Sequence, residues 1–275
     1  MLLNLGSTFE VESLYIYGEL NDRKEKEGSP DRISEVYGCT QELNTLGNAR
    51  ALDRLPSRTE EEVRTYIAKA KEFGIDVNWT INSPCLGDLN LFLRGRAWRY
   101  LFSRLIAIGV TRITVAHPLL LEIIQGEGWN FKVELSTIMG VQTLEQVKWL
   151  KNRYPFVDKI CASLYRNRDF HWIRKMAKLC SGLGISLELL ANEFCSIGGI
   201  PCEGLLRSSC YIASSHSRSS VPNEYGYPMG ICTESRSMDP LSWIKAQFIL
   251  PQWVVHYEMR GINNFKVTRK TQNLH

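Results

Sequence analysis

Leu183-Gly184-Ile185-Ser186-Leu187-Glu188-Leu189-Leu190-Ala191-Asn192 joins a helix end, a glycine and a β-rich run within ten residues. Upstream, Asp169 can cap a helix whose Trp172, Ile173, Met176, Leu179 and Leu183 fall on one face at the 3.6-residue period. Glycine fits the junction because a helix commonly ends on a left-handed residue, which glycine adopts without a Cβ clash. The same grammar occurs twice more. Phe73-Gly74-Ile75 leads into Asp76–Asn82, and Ile108-Gly109-Val110 leads into Arg112–His117. The glycines are spaced 35 and then 75 residues apart, the second interval close to two units. Helix starts are equally legible. Thr59 with Glu62 and Thr143 with Gln146 are capping-box pairs, and Val63, Tyr66, Ile67, Ala70 and Phe73 line one face after the first.

Further strands are expected at Met1–Leu5, Glu35–Cys39, Val133–Ile138, Lys159–Leu164 and Asn264–Thr268, giving eight in all. Strands alternating with single helices imply a parallel sheet with right-handed crossovers. Units of about 35 residues use up a chain of 275, close to the roughly 250 of a typical barrel. The expected fold is a single α/β domain over residues 1–275, a (β/α)8 TIM-type barrel, irregular near its ends. A doubly wound open sheet is the alternative, weakened because no G-x-G-x-x-G follows a first strand.

Composition narrows the function classes. A hydrophobic fraction of 44% excludes disorder as the main state. No run of 18 apolar residues and no basic, apolar leader is present, so neither a membrane partner nor secretion is expected, and a cytoplasmic location is. Net charge is +4, too mild to argue for nucleic acid. The basic stretch Lys266–Lys270 reads as a solvated tail or an anion contact.

Eight cysteines then need a reason, because reduced cytosolic thiols point to metal or catalysis more than to bridges. Four of them, Cys195, Cys202, Cys210 and Cys232, fall within residues 193–235, a cysteine-rich insertion after a late strand. Zinc usually takes a tight C-x₂₋₄-C pair, which is missing. Long loop-borne gaps suit a 4Fe-4S cluster better, with zinc or unligated thiols as alternatives. Cys161, inside an apolar run, and Cys180, near a helix end, read as core thiols. Cys39 and Cys85 end strands and stay open between packing and a pocket.

Barrel chemistry sits at the carboxyl ends of strands. That rule selects Cys39, Asn82, Cys85, His117, Ser136, Thr137, Arg166, Asn192, Glu193, Lys266 and Arg269 as rim residues. Asn82, His117, Arg166, Asn192, Lys266 and Arg269 are the expected substrate contacts. His117, Cys85 and Glu193 are the candidates for catalysis.

At these residues the chain resembles a known family. The stretches Glu35–Gly38, Thr80–Cys85, Thr114–Pro118, Glu134–Thr137, Arg166–Asp169, Asn192–Cys195 with Cys202, and Asn264–Val267 with Arg269 follow in the order seen in the U-thirty-two (U32) collagenase-like peptidase family. The resemblance implies an iron–sulfur protein, with Cys195 and Cys202 matching the first cysteine pair and Cys210 and Cys232 completing the set. Better understood relatives imply oxygen-independent hydroxylation of ubiquinone precursors or RNA, with prephenate as oxygen donor. The chain is without the C-terminal extension of the larger RNA-acting and protease-like members, which turns the expectation towards a small-molecule or peptide substrate.

Three functions remain distinct at this level. The first is iron–sulfur-dependent hydroxylation or related redox tailoring. The second is peptidase chemistry, for which no G-x-S-x-G or H-E-x-x-H occurs and a Cys–His pair such as Cys85 with His117 could serve. The third is a non-catalytic subunit of a complex with a paralogue, a homodimer being the simpler assembly. The apolar Phe248–Val255 segment could then be its interface or an ordinary buried connection.

Overall fold

The computed structural model describes residues 1–50, 52–193 and 246–268, together with Cys195, Glu234, 237–241 and Ile244. Cys202, Cys210, Cys232 and Arg269 lie outside the described residues.

Eight parallel strands close into one barrel in chain order. They are β1 (Leu2–Gly6), β2 (Arg32–Gly38), β3 (Asp76–Ile81), β4 (Arg112–Val115), β5 (Lys132–Leu135), β6 (Val157–Cys161), β7 (Ser186–Leu190) and β8 (Asn264–Val267). β8 pairs with both β7 and β1, which completes the ring. Seven helices fill the intervals between β1 and β7: α1 (Val11–Lys26), α2 (Glu60–Glu72), α3 (Leu89–Gly95), α4 (Ala97–Ala107), α5 (Pro118–Glu127), α6 (Leu144–Arg153) and α7 (Phe170–Gly182). A short α8 (Val254–Glu258) precedes β8. The fold is the (β/α)8 barrel expected from the repeat.

The repeated glycines work as the sequence implied. Gly74, Gly109 and Gly184 have φ of 64°, 93° and 66°, the left-handed region. Each lets the next residue's N–H reach back five positions: Ile75 to Ala70 O, Val110 to Leu105 O and Ile185 to Cys180 O, at 2.8–2.9 Å. These are Schellman closures, which aim the chain straight into β3, β4 and β7. Both capping boxes are formed, and Asp169 accepts from the Trp172 N–H at 3.0 Å.

Expected strands run past observed ones at the carboxyl end. Ser136 caps a 3₁₀ turn over Thr137–Met139, and another turn occupies Leu164–Arg166. There, polar groups close on the local backbone instead of continuing the ladder. The Phe248–Val255 segment splits in the same way: Ile249 is buried, Pro251–Trp253 form a 3₁₀ turn, and Val255 is exposed.

Between barrel and helices lies one continuous apolar core, with Val36, Trp79, Ile113, Val133 and Leu189 on the strands and Leu14, Tyr66, Leu105 and Ile173 on the helices. Gly18 of α1 sits against the Phe73 ring, so a Cβ there would overlap it. Gly18→Ala is expected to lower stability by about 1–3 kcal/mol, as overpacking does, read from the urea midpoint at unchanged slope.

Candidate functional site

Barrel interiors are usually packed with branched apolar side chains. This one is polar. β1, β2, β3 and β4 contribute Asn4, Glu35, Asn78 and Thr114, and β5 to β8 contribute Glu134, Lys159, Glu188 and Lys266, all buried. Period-2 alternation explains the division: in Lys132-Val-Glu134-Leu and Ser186-Leu-Glu188-Leu the apolar partners enter the outer core.

The inward groups form one network. Lys159 Nζ meets Glu35 at 2.6 Å, Glu134 at 3.2 Å and Glu188 at 3.7 Å. Lys266 Nζ donates to Glu134 at 2.7 Å, stands 3.5 Å from Glu188 and lies 4.1 Å from the centre of the Tyr37 ring. The Asn78 amide donates to Glu35 at 3.0 Å and to Glu134 at 2.6 Å, while its oxygen accepts from Thr114 at 2.8 Å. Asn4 donates to Glu188. Arg112 approaches Glu35 at 3.5 Å but is held by both oxygens of Asp158, at 2.7 and 2.8 Å.

Charge counting decides the electrostatics. Three carboxylates face two ammonium groups, with Arg112 engaged by Asp158, so the layer is one negative charge in excess. Burial works against both lysines as cations, yet the surrounding carboxylates outweigh it and hold Lys159 and Lys266 above their ordinary range. Burial also opposes ionised Glu134, but Lys266 and Lys159 pull it well below the usual carboxylate range. Glu188 absorbs the excess: burial, then the charge of Glu134, push it up to about 7. Its Oε1 is buried without a hydrogen-bond partner among the described residues.

A carboxyl raised in the folded state binds its proton more tightly there than in the unfolded chain. Its contribution to stability is full below about pH 4.5 and is lost as pH climbs towards 7. Glu188→Gln removes that loss. The stability of the variant relative to the native protein is expected to rise by on the order of 2 kcal/mol between about pH 5 and about pH 8, measured by urea unfolding at each pH. A flat difference would contradict the charge excess.

Glu134, Cys161 and Glu188 present three donor atoms within 4.8 Å of one another, a spacing that one metal ion can span. Cys161 is fully buried, as expected of a core thiol, and its sulfur is one of these three donor atoms. Burial raises its thiol well above the ordinary range. The two lysines already neutralise the same carboxylates, so a cation entering here would compete with them.

Among the described residues, the expected rim residues follow the carboxyl ends of their strands except Lys266, which lies within β8 and is buried in the interior layer. The oxygen of Asn82 accepts from the Ala49 N–H at 3.1 Å. His117 caps α5, its Nδ1 accepting from the Leu119 N–H at 3.2 Å, and burial lowers its pKa. The ring is thus neutral, with its proton on an Nε2 that can donate. Arg166 pairs with Asp169 at 2.8 Å. Asn192 is tied to Thr268 by three bonds of 2.7–3.0 Å. Cys39 is buried, its thiol raised by burial and directed at the carbonyls of Thr40 and Leu43, which is a packing environment. Cys180 is buried and raised to about 12. Cys85 and Glu193 are half-buried on loops beyond β3 and β7. Cys195 lies beyond β7, half-buried against Cys161, Leu164 and Leu190. That contact brings the start of the cysteine-rich segment to the polar interior.

Glu35, Asn78, Lys159 and Glu188 were not among the expected site residues. Their signal was the polar alternation itself, unusual in parallel strands that are covered on both faces.

No family model matches the chain. Over 252 residues it is 24% identical to a protein of Methanocaldococcus jannaschii named uncharacterized protease MJ1657, covering 90% of this chain and 71% of that one. The solved structure of the U32 peptidase Mk0906 superposes with a TM-score of 0.63 at 16% identity, over 98% of this chain and 93% of the other. The chain is thus similar in sequence to the first of these proteins and shares its barrel fold with the second.

Proposed function

We propose that this chain is an iron–sulfur enzyme that carries out oxygen-independent hydroxylation, or related redox tailoring, of a small molecule or peptide. Cys195, Cys202, Cys210 and Cys232 would hold a 4Fe-4S cluster. The observation that supports this reading is the place of Cys195, beyond β7 at the carboxyl end of the barrel and against Cys161, Leu164 and Leu190. A soft sulfur donor shielded by apolar side chains beside a charged interior suits such a group. When bound, the cluster would supply single-electron chemistry.

The chain's own residues would do the rest. His117 offers an Nε2–H donor, Asn82 an amide, and Arg166 a planar fork for a carboxylate such as that of prephenate, the proposed oxygen donor. Lys266, Asn192 and Arg269 complete the substrate-binding set. Protonated Glu188 next to ionised Glu134 can release or take up a proton near neutral pH, which suits acid–base work beside the reacting centre. The enzyme would work in the cytoplasm, alone, as a homodimer or beside a paralogous subunit. Among the described residues no helix is long and apolar enough to cross a membrane.

A single metal ion on Glu134, Cys161 and Glu188 is a second reading, favoured by their spacing. The peptidase reading, carried by the relatives' names, gains less support. The Nδ1 of His117 is already engaged by Leu119, which leaves the ring a donor and not a base towards Cys85. Unchanged peptide cleavage in Cys85→Ala and His117→Ala would remove that pair.

Anaerobic reconstitution with iron and sulfide, followed by metal analysis, tests the proposal. About four irons and four sulfides per chain with broad absorption near 400 nm are expected. Colourless, iron-free protein overturns it, and one tightly held zinc or iron lost on Cys161→Ala supports the second reading.

A further inference from the structure

From Gly87 to Arg96 every residue except Phe92 is exposed. This stretch contains α3, which follows β3 at the carboxyl end of the barrel. Phe92 is the one buried residue of α3, packed on Trp98 with 4.9 Å between ring centres. At about 100° per residue, Leu89 and Leu93 fall on one flank of Phe92 and Leu91 on the other. All three leucines are exposed, Leu91 by 71%, and Tyr100 stands 61% exposed one turn into α4. Leu52, also exposed, comes from the loop before α2. Asn48 and Ala49 tie that loop to the end of β3, through Thr80 O and Oγ1 at 3.2 and 2.6 Å and through Asn82 Oδ1 at 3.1 Å. Single exposed apolar residues need no explanation, but leucines gathered on one part of the rim do.

The charge beside these leucines is positive. Arg94 and Arg96 have no ion-pair partner among the described residues, whereas Arg99 and Arg104 on α4 pair with Glu127 and Glu60. Asp88 is engaged in capping α3, accepting from the Asn90 and Leu91 N–H groups at 2.8 and 3.0 Å. Arg96 has a φ of 49°, the left-handed region that favours glycine, while Gly95 beside it does not take that angle. An arginine in a strained position that glycine would relieve points to a use for its side chain.

Protruding leucines flanked by arginines and a tyrosine match the interface of a bilayer that carries anionic phospholipid. Acyl chains can wrap both flanks of α3, which a flat protein face cannot do. A second copy docking through the same patch would set its own Arg94 and Arg96 against these. Composition argues against a spanning segment, and this contact needs none. We propose that Leu89, Leu91, Leu93, Arg94 and Arg96 dock the carboxyl rim of the barrel on an anionic membrane surface. The proposal is independent of the iron–sulfur reading.

Co-sedimentation of the full chain with vesicles tests it, phosphatidylcholine alone against phosphatidylcholine mixed with phosphatidylglycerol. Binding to the anionic vesicles is expected to be at least about tenfold tighter and to weaken at high salt. Arg94→Gln and Arg96→Gly should each weaken it about fivefold, the effect of one basic residue at an anionic surface. Arg96→Gly should also raise the urea midpoint, because glycine relieves the strain, and a lower midpoint overturns the part given to Arg96. Leu91→Asp should weaken binding more than about tenfold and leave the urea midpoint unchanged, since the side chain is mostly in water. Absence of binding to the anionic vesicles overturns the proposal, and so does equal binding to both vesicle types or equal binding by Leu91→Asp and the native chain. Sedimentation velocity without lipid separates the other occupant. A dimer that Leu91→Asp dissociates would make the patch an interface between copies and overturn the membrane contact, whereas the same species in both proteins supports it.

Discussion

Glu134→Ala is expected to cost about 3–5 kcal/mol of stability, the range for removing one partner of a buried ion pair. Glu134 accepts from Lys266 at 2.7 Å and from Asn78 at 2.6 Å, and it stands 3.2 Å from Lys159. Its removal leaves a cavity and strips Lys266 of its 2.7 Å partner, with Glu188 standing 3.5 Å away. Glu134→Gln should be milder. It keeps the volume and an acceptor, and it relieves Glu188 of the neighbouring charge that raises its pKa, so Glu188 ionises and takes over the pairing. Urea unfolding near neutral pH should rank native above Gln above Ala. A combined Glu134→Leu and Lys266→Met replacement should cost less than the sum of its parts, since neither charge is then stranded. Strict additivity would mean that the two groups do not interact as described.

That network was only half legible in the amino-acid order. Helix ends, caps and strand starts are written locally. Gly74, Gly109 and Gly184 each act through bonds to residues within six positions, and Thr59 and Thr143 within three. The polar interior is different in kind. Glu35 and Lys159 are 124 positions apart and meet only because the sheet closes on itself. Alternation in Lys132–Leu135 and Ser186–Leu190 shows that these strands have a polar face, but closure decides that this face turns inwards. An expectation of branched residues inside a barrel hides the signal further. Rim residues were found by rule, because barrel chemistry gathers at the carboxyl ends of strands. What the rule could not foresee is how much of each side chain the backbone engages. Asn192 bonds Thr268 three times, a partner 76 positions away.

Cys195→Ala is expected to have the second large effect, on the bound group and not on the fold. Cys195 is half-buried, at the edge of a small cluster with Cys161, Leu164 and Leu190, so its truncation should cost about 1 kcal/mol or less. Loss of one of the four proposed thiolate ligands should lower bound iron from about four to about three or fewer per chain and change the electron paramagnetic resonance of the reduced protein. Cys39→Ala and Cys180→Ala reverse the pattern. Both thiols are buried, so stability falls while iron content per folded chain stays at the native value. Equal iron loss in all three variants would mean that the effect travels through folding and not through ligation. Activity loss with unchanged iron in Cys195→Ala would place this thiol outside the ligand set.

Mössbauer spectroscopy of the anaerobically reconstituted protein, enriched in the absorbing iron isotope, bears most directly on the central claim. The proposal predicts that essentially all iron, about four per chain, appears as the paired mixed-valence sites of one cubane cluster, and that this signal survives Cys39→Ala. Iron found only as isolated mononuclear sites, or a protein that binds zinc alone at Glu134, Cys161 and Glu188, would contradict it.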